Sequence, residues 1–280
     1  MRIRLWEITL TVLLLIAVGS VAAHAIPSLS GPTGIVTVPT AAVAPSDQLQ
    51  AALTYQSQTI GEGTDSMDFN CWALNVLLGA ADEAELWGAY ALADQETPTA
   101  SETARLSAIG GKYQLTREPE DQASLAVGAS LEEWSGFMFD PGSTTDLSIT
   151  KAYVVATKDF TPLAGETWEW SSQAGTHMLG SLGVIYISLD PEGGESDSLA
   201  RPFLGLEFAG AGGTTLGLEY RWKDDDLDAK AVFSAVLRHR MSDKVEAEIG
   251  TTNGGPGGLG LDDQDFFVRL GYSIPLGGIR

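Results

Sequence analysis

Ser28-Leu-Ser-Gly-Pro-Thr-Gly34-Ile-Val-Thr-Val-Pro39-Thr-Ala-Ala-Val-Ala-Pro45-Ser-Asp-Gln48-Leu-Gln-Ala-Ala-Leu-Thr-Tyr55 carries two patterns side by side. In its first half, Gly34 to Val38 is a short β-prone run stopped by Pro39, and Pro45-Ser46-Asp47 has the composition of a turn. In its second half, apolar and polar residues alternate. Leu49, Ala51, Leu53 and Tyr55 fall on one face and Gln48, Gln50, Thr54 and Gln56 on the other, with only Ala52 out of pattern. A turn feeding an amphipathic strand is the unit that the rest of the chain repeats. Runs of about 8 to 12 residues with turn signals between them extend from Met67–Leu78 through Ser124–Ser130, Asp146–Thr157 and Thr214–Lys223 to Phe266–Ile274. The expected fold is all-β, a transmembrane antiparallel up-and-down barrel of about twelve strands spanning 48–280.

Residues 1–25 read as a cleaved signal peptide. Arg2 and Arg4 form a positive start, Leu10 to Val21 is apolar apart from Thr11 and Ser20, and Ala23-His24-Ala25 is a small-x-small cleavage signature. The alternative, an uncleaved anchor, requires a longer apolar core than this. Residues 26–47 then form a periplasmic lead-in to the barrel. No later stretch approaches 18 consecutive apolar residues, which excludes further membrane-spanning helices.

The formal net charge is −21, and a chain this acidic is repelled by nucleic acid. The same charge argues against anionic lipid headgroups as charge-matched partners and favours divalent cations bridging the acidic loops, while the barrel reading surrounds the chain with outer-membrane lipid and lipopolysaccharide. Cys71 is the only cysteine, so no internal disulfide forms; it lies in a strand-like run and reads as a small buried hydrophobe.

Alternation holds in most runs. Leu204, Leu206 and Phe208 oppose Phe203, Gly205 and Glu207, while Phe266, Val268, Leu270, Tyr272 and Ile274 oppose Phe267, Arg269 and Ser273. A soluble sandwich has the same period. The export signal, aromatics such as Tyr55, Tyr90, Tyr220, Trp222 and Tyr272 toward run ends, and alternately long acidic and tight connections favour the membrane barrel. The long connections are placed at Ser57–Ser66, Ala93–Glu102, Leu131–Thr145, Asp190–Leu199, Lys223–Asp228 and Thr251–Asp265, and Thr161–Thr176 breaks the rule. The run from Asp146 is a further conflict: Lys151 falls among Leu147, Ile149, Tyr153 and Val155, and a lipid-facing lysine near mid-membrane costs about 2–4 kcal/mol. Either a bulge shifts the register near Thr150 or those apolar residues face inward.

Gly34-Ile-Val-Thr-Val-Pro39-Thr40-Ala41, the segment Leu78-Gly79-Ala-Ala-Asp82-Glu-Ala-Glu85-Leu86, Gly111-Lys-Tyr-Gln-Leu115 and Ala152-Tyr-Val-Val-Ala-Thr-Lys158 resemble the YjbH-like outer-membrane barrels. Members share a Gly-x-x-x-x-Pro-[Ser/Thr]-Ala start and Gly-x-x-Asp-x-x-Glu-Leu hairpins. The resemblance implies an outer-membrane barrel serving exopolysaccharide or capsule production without enzymatic activity, with polysaccharide or its export machinery as partner. Family members are often longer, with additional periplasmic portions.

If the apolar faces meet lipid, Glu85, Lys112, Glu207, Glu219, Arg221, Lys230, Glu246, Glu248 and Arg269 line the lumen. They either pair across strands and close the interior, the favoured reading, or form a polar conduit such as a narrow diffusion channel; a purely structural surface barrel is the remaining alternative. Catalysis would need His177 or His239 beside a serine such as Ser181 or Ser242, and sequence proximity gives no such geometry. No metal or cofactor is expected. The acidic clusters Asp224–Asp226, Glu192/Glu195 and Asp262–Asp263 lack calcium-loop spacing, and the Gly-rich 253–260 stretch lacks the Gly-Lys-[Ser/Thr] ending of a phosphate loop. Gly34 to Ala41 precedes the barrel yet is apolar, so it either tucks into the lumen or pairs at the barrel seam.

Overall fold

A computed structural model describes residues 31–60, 66–117, 122–140, 143–161, 177–210, 212–224, 230–254 and 260–276. The candidate signal peptide, Asp225–Asp226 and most of Thr161–Thr176 lie outside them. The strands are β1 (Gln48–Ile60), β2 (Met67–Ala81), β3 (Ala84–Glu96), β4 (Ser101–Thr116), β5 (Ser124–Asp140) and β6 (Ser143–Asp159). They continue with β7 (His177–Pro191), β8 (Asp197–Ala209), β9 (Thr214–Arg221), β10 (Val232–Arg240), β11 (Val245–Gly254) and β12 (Gly260–Pro275). Each pairs antiparallel with its sequence neighbours, and β1 pairs with β12 from Gln48↔Pro275 to Ser57↔Phe266. The barrel is closed, and both ends of the described wall reach the same rim, as an even strand count requires.

The dyad pattern sorts the side chains. Leu53, Leu74, Leu86, Leu92, Val154, Leu182, Val268 and Leu270 are exposed on the outside, where a continuous apolar surface suits a bilayer and not water. Aromatic pairs mark the belt: Tyr55 packs tilted against Trp72 with centroids 4.8 Å apart, and Tyr220 meets Trp222 edge to face at 5.0 Å.

Two sequence expectations are corrected. The strands run further at the rim remote from the chain ends: Ala93–Glu96 pairs with Ser101–Ala104, and β5 continues past Leu131 to Asp140. Ladder hydrogen bonds do not depend on an apolar face, so the barrel extends beyond the stretch where alternation is visible. On β6 the apolar residues face inward, with Leu147, Ile149, Tyr153 and Val155 buried and Thr150, Ala152 and Val154 outside. Lys151 therefore points into the lumen and is paired with Glu132, and no lysine faces lipid there.

That inversion makes the lumen two-toned. Its remote half is filled by Phe69, Trp134, Phe137, Leu147, Ile149, Ile187 and Leu199 in one buried cluster. A bulge between Trp134 and Phe137 buries both Phe137 and Met138. Gly136, at φ +71°, makes the turn, and the Gln95 amide fastens it, donating to the Gly136 carbonyl and accepting from the Met138 N–H at 3.0 Å. Cys71 belongs to the same cluster, so a thiol reagent should label the folded protein far more slowly than the denatured one; equal rates would contradict the packing. A closed barrel should also migrate faster on detergent gels before heating than after, and unchanged mobility would contradict closure.

Candidate functional site: a peptide held in the lumen

The half of the lumen nearer the chain ends is filled by residues that precede the barrel. Ile35, Val36, Val38, Ala41 and Ala44 are at most 1% exposed, although none belongs to a strand. The seam is already closed by β1 and β12, so the segment lies inside the barrel and not in its wall. The β-prone run does not extend as a strand. Ile35 N–H donates to the Val38 carbonyl and Thr40 N–H to the Thr33 carbonyl, both at 3.1 Å, which folds Gly34–Pro39 into a tight loop. Sequence alternation cannot distinguish a five-residue strand from a turn whose apolar side chains are all buried.

Two clamps hold the loop, and each grips backbone. Glu219 on β9 accepts the N–H groups of Val36, Thr37 and Val38 at 2.9–3.1 Å and the Thr37 hydroxyl at 2.5 Å. Three successive amides around one carboxylate form an anion nest, with the anion supplied by the wall. Arg221 reaches the Thr37 carbonyl from the same strand, and Arg238 on β10 donates to the carbonyls of Gly34 and Ile35 at 3.3 and 3.2 Å. At the second clamp Glu85 on β3 accepts from Thr33 N–H and Ala44 N–H, both at 2.8 Å. Lys112, directly opposite on β4, lies 2.9 Å from Glu85 and donates to the Thr33 and Thr40 carbonyls. Bonds to charged groups contribute roughly 1.5–3 kcal/mol each against an otherwise unsatisfied partner.

Wall glycines make room for the segment. A Cβ at Gly205 would lie 2.4 Å from Ile35 Cδ1, and one at Gly217 2.6 Å from Ile35 Cγ2, so these two glycines form the socket for Ile35. Gly217→Val should expel Ile35 while leaving the strand ladder intact; protease cleavage within 31–44 in folded protein would then rise severalfold, and unchanged protection would contradict the socket.

Eight of the nine sequence candidates are buried in the lumen: Glu85, Lys112, Glu207, Glu219, Arg221, Glu246, Glu248 and Arg269. Lys230 is the exception. It lies exposed between β9 and β10, and its carbonyl accepts from Arg201; β10 begins only at Val232, so Lys230 belongs to the connection and not to a strand. Arg238, Glu132, Arg201 and Asp265 are buried charges missed in the sequence, and Lys151, whose inward placement was one of two readings there, joins them. Arg238 was legible, since Ser234, Val236 and Arg238 alternate with Phe233, Ala235 and Leu237. It anchors the interior network, aligned across strands with Glu248, which is aligned in turn with Arg269. Its guanidinium donates to Glu248 at 2.6 Å and to Glu207 at 3.2 Å, and lies 3.0 Å from Glu246 without hydrogen-bond alignment.

The imagined catalytic pairs are not brought together. Ser181 shares a hydrogen bond with Thr157, Ser242 accepts from the Lys244 and Val245 N–H groups, and the histidines approach Asp159 and Thr214.

No family model and no curated protein matches the chain in sequence. Among solved structures it resembles an outer membrane channel from Pseudomonas putida F1, with TM-score 0.55 and 12% identity over 83% of this chain and 97% of that one. The KdgM porin in complex with disordered oligogalacturonate aligns at TM-score 0.48 and 12% identity, over 81% and 99% of the two chains. The outer membrane phospholipase A from Escherichia coli aligns at 0.43 and 11%, over 82% and 93%. At these identities the likeness is one of fold, that of the outer-membrane β-barrel.

Proposed function

We propose that the protein is a non-enzymatic outer-membrane channel that is closed, in the form described, by its own N-terminal segment. The observation that carries this reading is the contrast between the two halves of one lumen. The remote half is closed by apolar packing, which serves when an interior has only to be filled. The half near the chain ends presents charged side chains to the backbone of a segment tied to the barrel at Gln48. Water can replace every one of those bonds, so leaving strands no charge in a dry interior, and the cost of release lies in the apolar cluster that Ile35, Val36 and Val38 share with the remote half.

Planar-bilayer recording tests this. The intact chain should be mostly closed with infrequent openings, and full-length Glu219→Gln, which weakens the amide nest, should open about tenfold more often. Silence from both proteins would contradict the channel.

The YjbH-like resemblance supplies a cargo reading, in which the barrel serves exopolysaccharide export. A deletion strain should then secrete altered polysaccharide; unchanged secretion would remove that cargo and leave the channel.

A further inference from the structure

The segment leaves one wall ungripped. Its clamps come from β3, β4, β9 and β10, with Thr157 on β6 holding Ala41 N–H, whereas the inward face where β1 meets β2 carries a different set of groups. Gln50, Thr54 and Gln58 on β1 and Asn75 on β2 are 1–4% exposed. Asn75 is aligned with Ala52, so the four residues form one file along the lumen, covering roughly 27 Å of strand from Gln50 to Gln58. Both amide atoms of Gln58, both of Asn75, the Thr54 hydroxyl and the Gln50 amide oxygen meet no hydrogen-bond partner. Buried side-chain amides are ordinarily satisfied, and a file of unsatisfied ones is uncommon in a packed interior.

A second observation concerns charge. The chain is strongly acidic, yet among the described residues the buried charged side chains are seven carboxylates against six cationic groups. Among the described residues the acidic excess lies outside this buried set. An interior so nearly balanced offers little net field to draw in ions of either sign.

We infer that the Gln50–Asn75–Thr54–Gln58 file is a binding track for uncharged, hydroxyl-bearing solutes, which supply both donors and acceptors to these groups when the segment moves aside. This rests on the channel reading above. The charges of the flanking strands hold the segment; the uncharged file meets the solute.

Liposome swelling with full-length protein tests the track, using glycerol and sucrose as neutral probes and gluconate as an anion. Glu219→Gln combined with Gln95→Ala, which loosens the remote plug, serves as the parent, and Thr54→Val, Asn75→Leu and Gln58→Leu are added to it singly. Each addition should slow sucrose severalfold while potassium chloride conductance in bilayers stays near the parent value, and gluconate should lag behind the neutral probes. Gln58→Glu, close in shape but charged, should slow sucrose and favour cations. Sucrose rates equal to the parent's in all four variants would overturn the track and leave the channel standing. No swelling with any probe in the parent would overturn both. Gel mobility before and after heating confirms that each variant is a folded barrel.

Discussion

Deleting residues 31–44 should lift the conductance of a mostly silent barrel part of the way, and adding Gln95→Ala, which loosens the remote plug, should make it steady and discrete. The segment fills its half of the lumen, and its removal uncovers Glu85, Lys112, Glu219, Arg221 and Arg238 to water. A charged group that loses a peptide partner in a dry interior is costly, but a hydrated lumen restores the lost bonds, so the barrel should remain closed as a sheet and heat-modifiable on gels. The remote apolar half limits the effect. Its plug belongs to the wall itself, through Trp134, Phe137 and the Gln95 fastening, and conductance should rise further when Gln95→Ala is combined with the deletion. A folded barrel that carries both the deletion and Gln95→Ala and keeps the closed behaviour of the intact chain would show that the segment is filler and not a gate.

Arg238→Met should give the largest loss of stability. Glu207, Glu246 and Glu248 converge on this guanidinium, and Arg269 remains for Glu248 alone. Removing one partner of a buried ionic network generally costs about 3–5 kcal/mol, because the remaining charges stay buried without compensation. The variant should also lose the donors to the Gly34 and Ile35 carbonyls. Urea unfolding in detergent should shift by at least the midpoint difference that this cost implies, whereas Arg105→Met, on the exposed face of β4, should leave the midpoint unchanged. Equal midpoints for the two variants would contradict the network. Arg238→Lys, which keeps the charge without the forked geometry, should recover only part of the loss.

Much of the fold could be read from residues alone. Leu49 to Tyr55, Ala52 apart, and Phe266 to Ile274 alternate because one face meets hydrocarbon, and these two runs become the seam that closes the barrel. Reading failed where the inward face is itself apolar. Leu147, Ile149, Tyr153 and Val155 look lipid-facing to any rule that equates apolar with outward, and only Lys151 signalled otherwise. It failed again at the remote strand ends, where Ala93 to Glu96 and Leu131 to Asp140 continue the ladder after the apolar pattern stops.

The site was legible in outline and not in detail. The apolar character of Gly34 to Ala41 ahead of the barrel suggested a place in the lumen, because an unpacked tail gains nothing from Ile35, Val36 and Val38. Which carboxylate receives which amide depends on the loop between Thr33 and Thr40, and no periodicity encodes a single tight turn. Lys230 was misplaced for a related reason: β10 begins at Val232, so the residue belongs to a connection.

The most direct test of the gate is a reversible cross-link between segment and wall. A Cβ placed on Gly217 lies 4.0 Å from Ile35 Cβ, within the range a disulfide spans. With Cys71→Ser as background, Ile35→Cys combined with Gly217→Cys should be recorded in one bilayer, oxidised and then reduced. The barrel should stay closed while oxidised and open after reduction; failure of the two thiols to cross-link, or the same openings in both states, would contradict the gate.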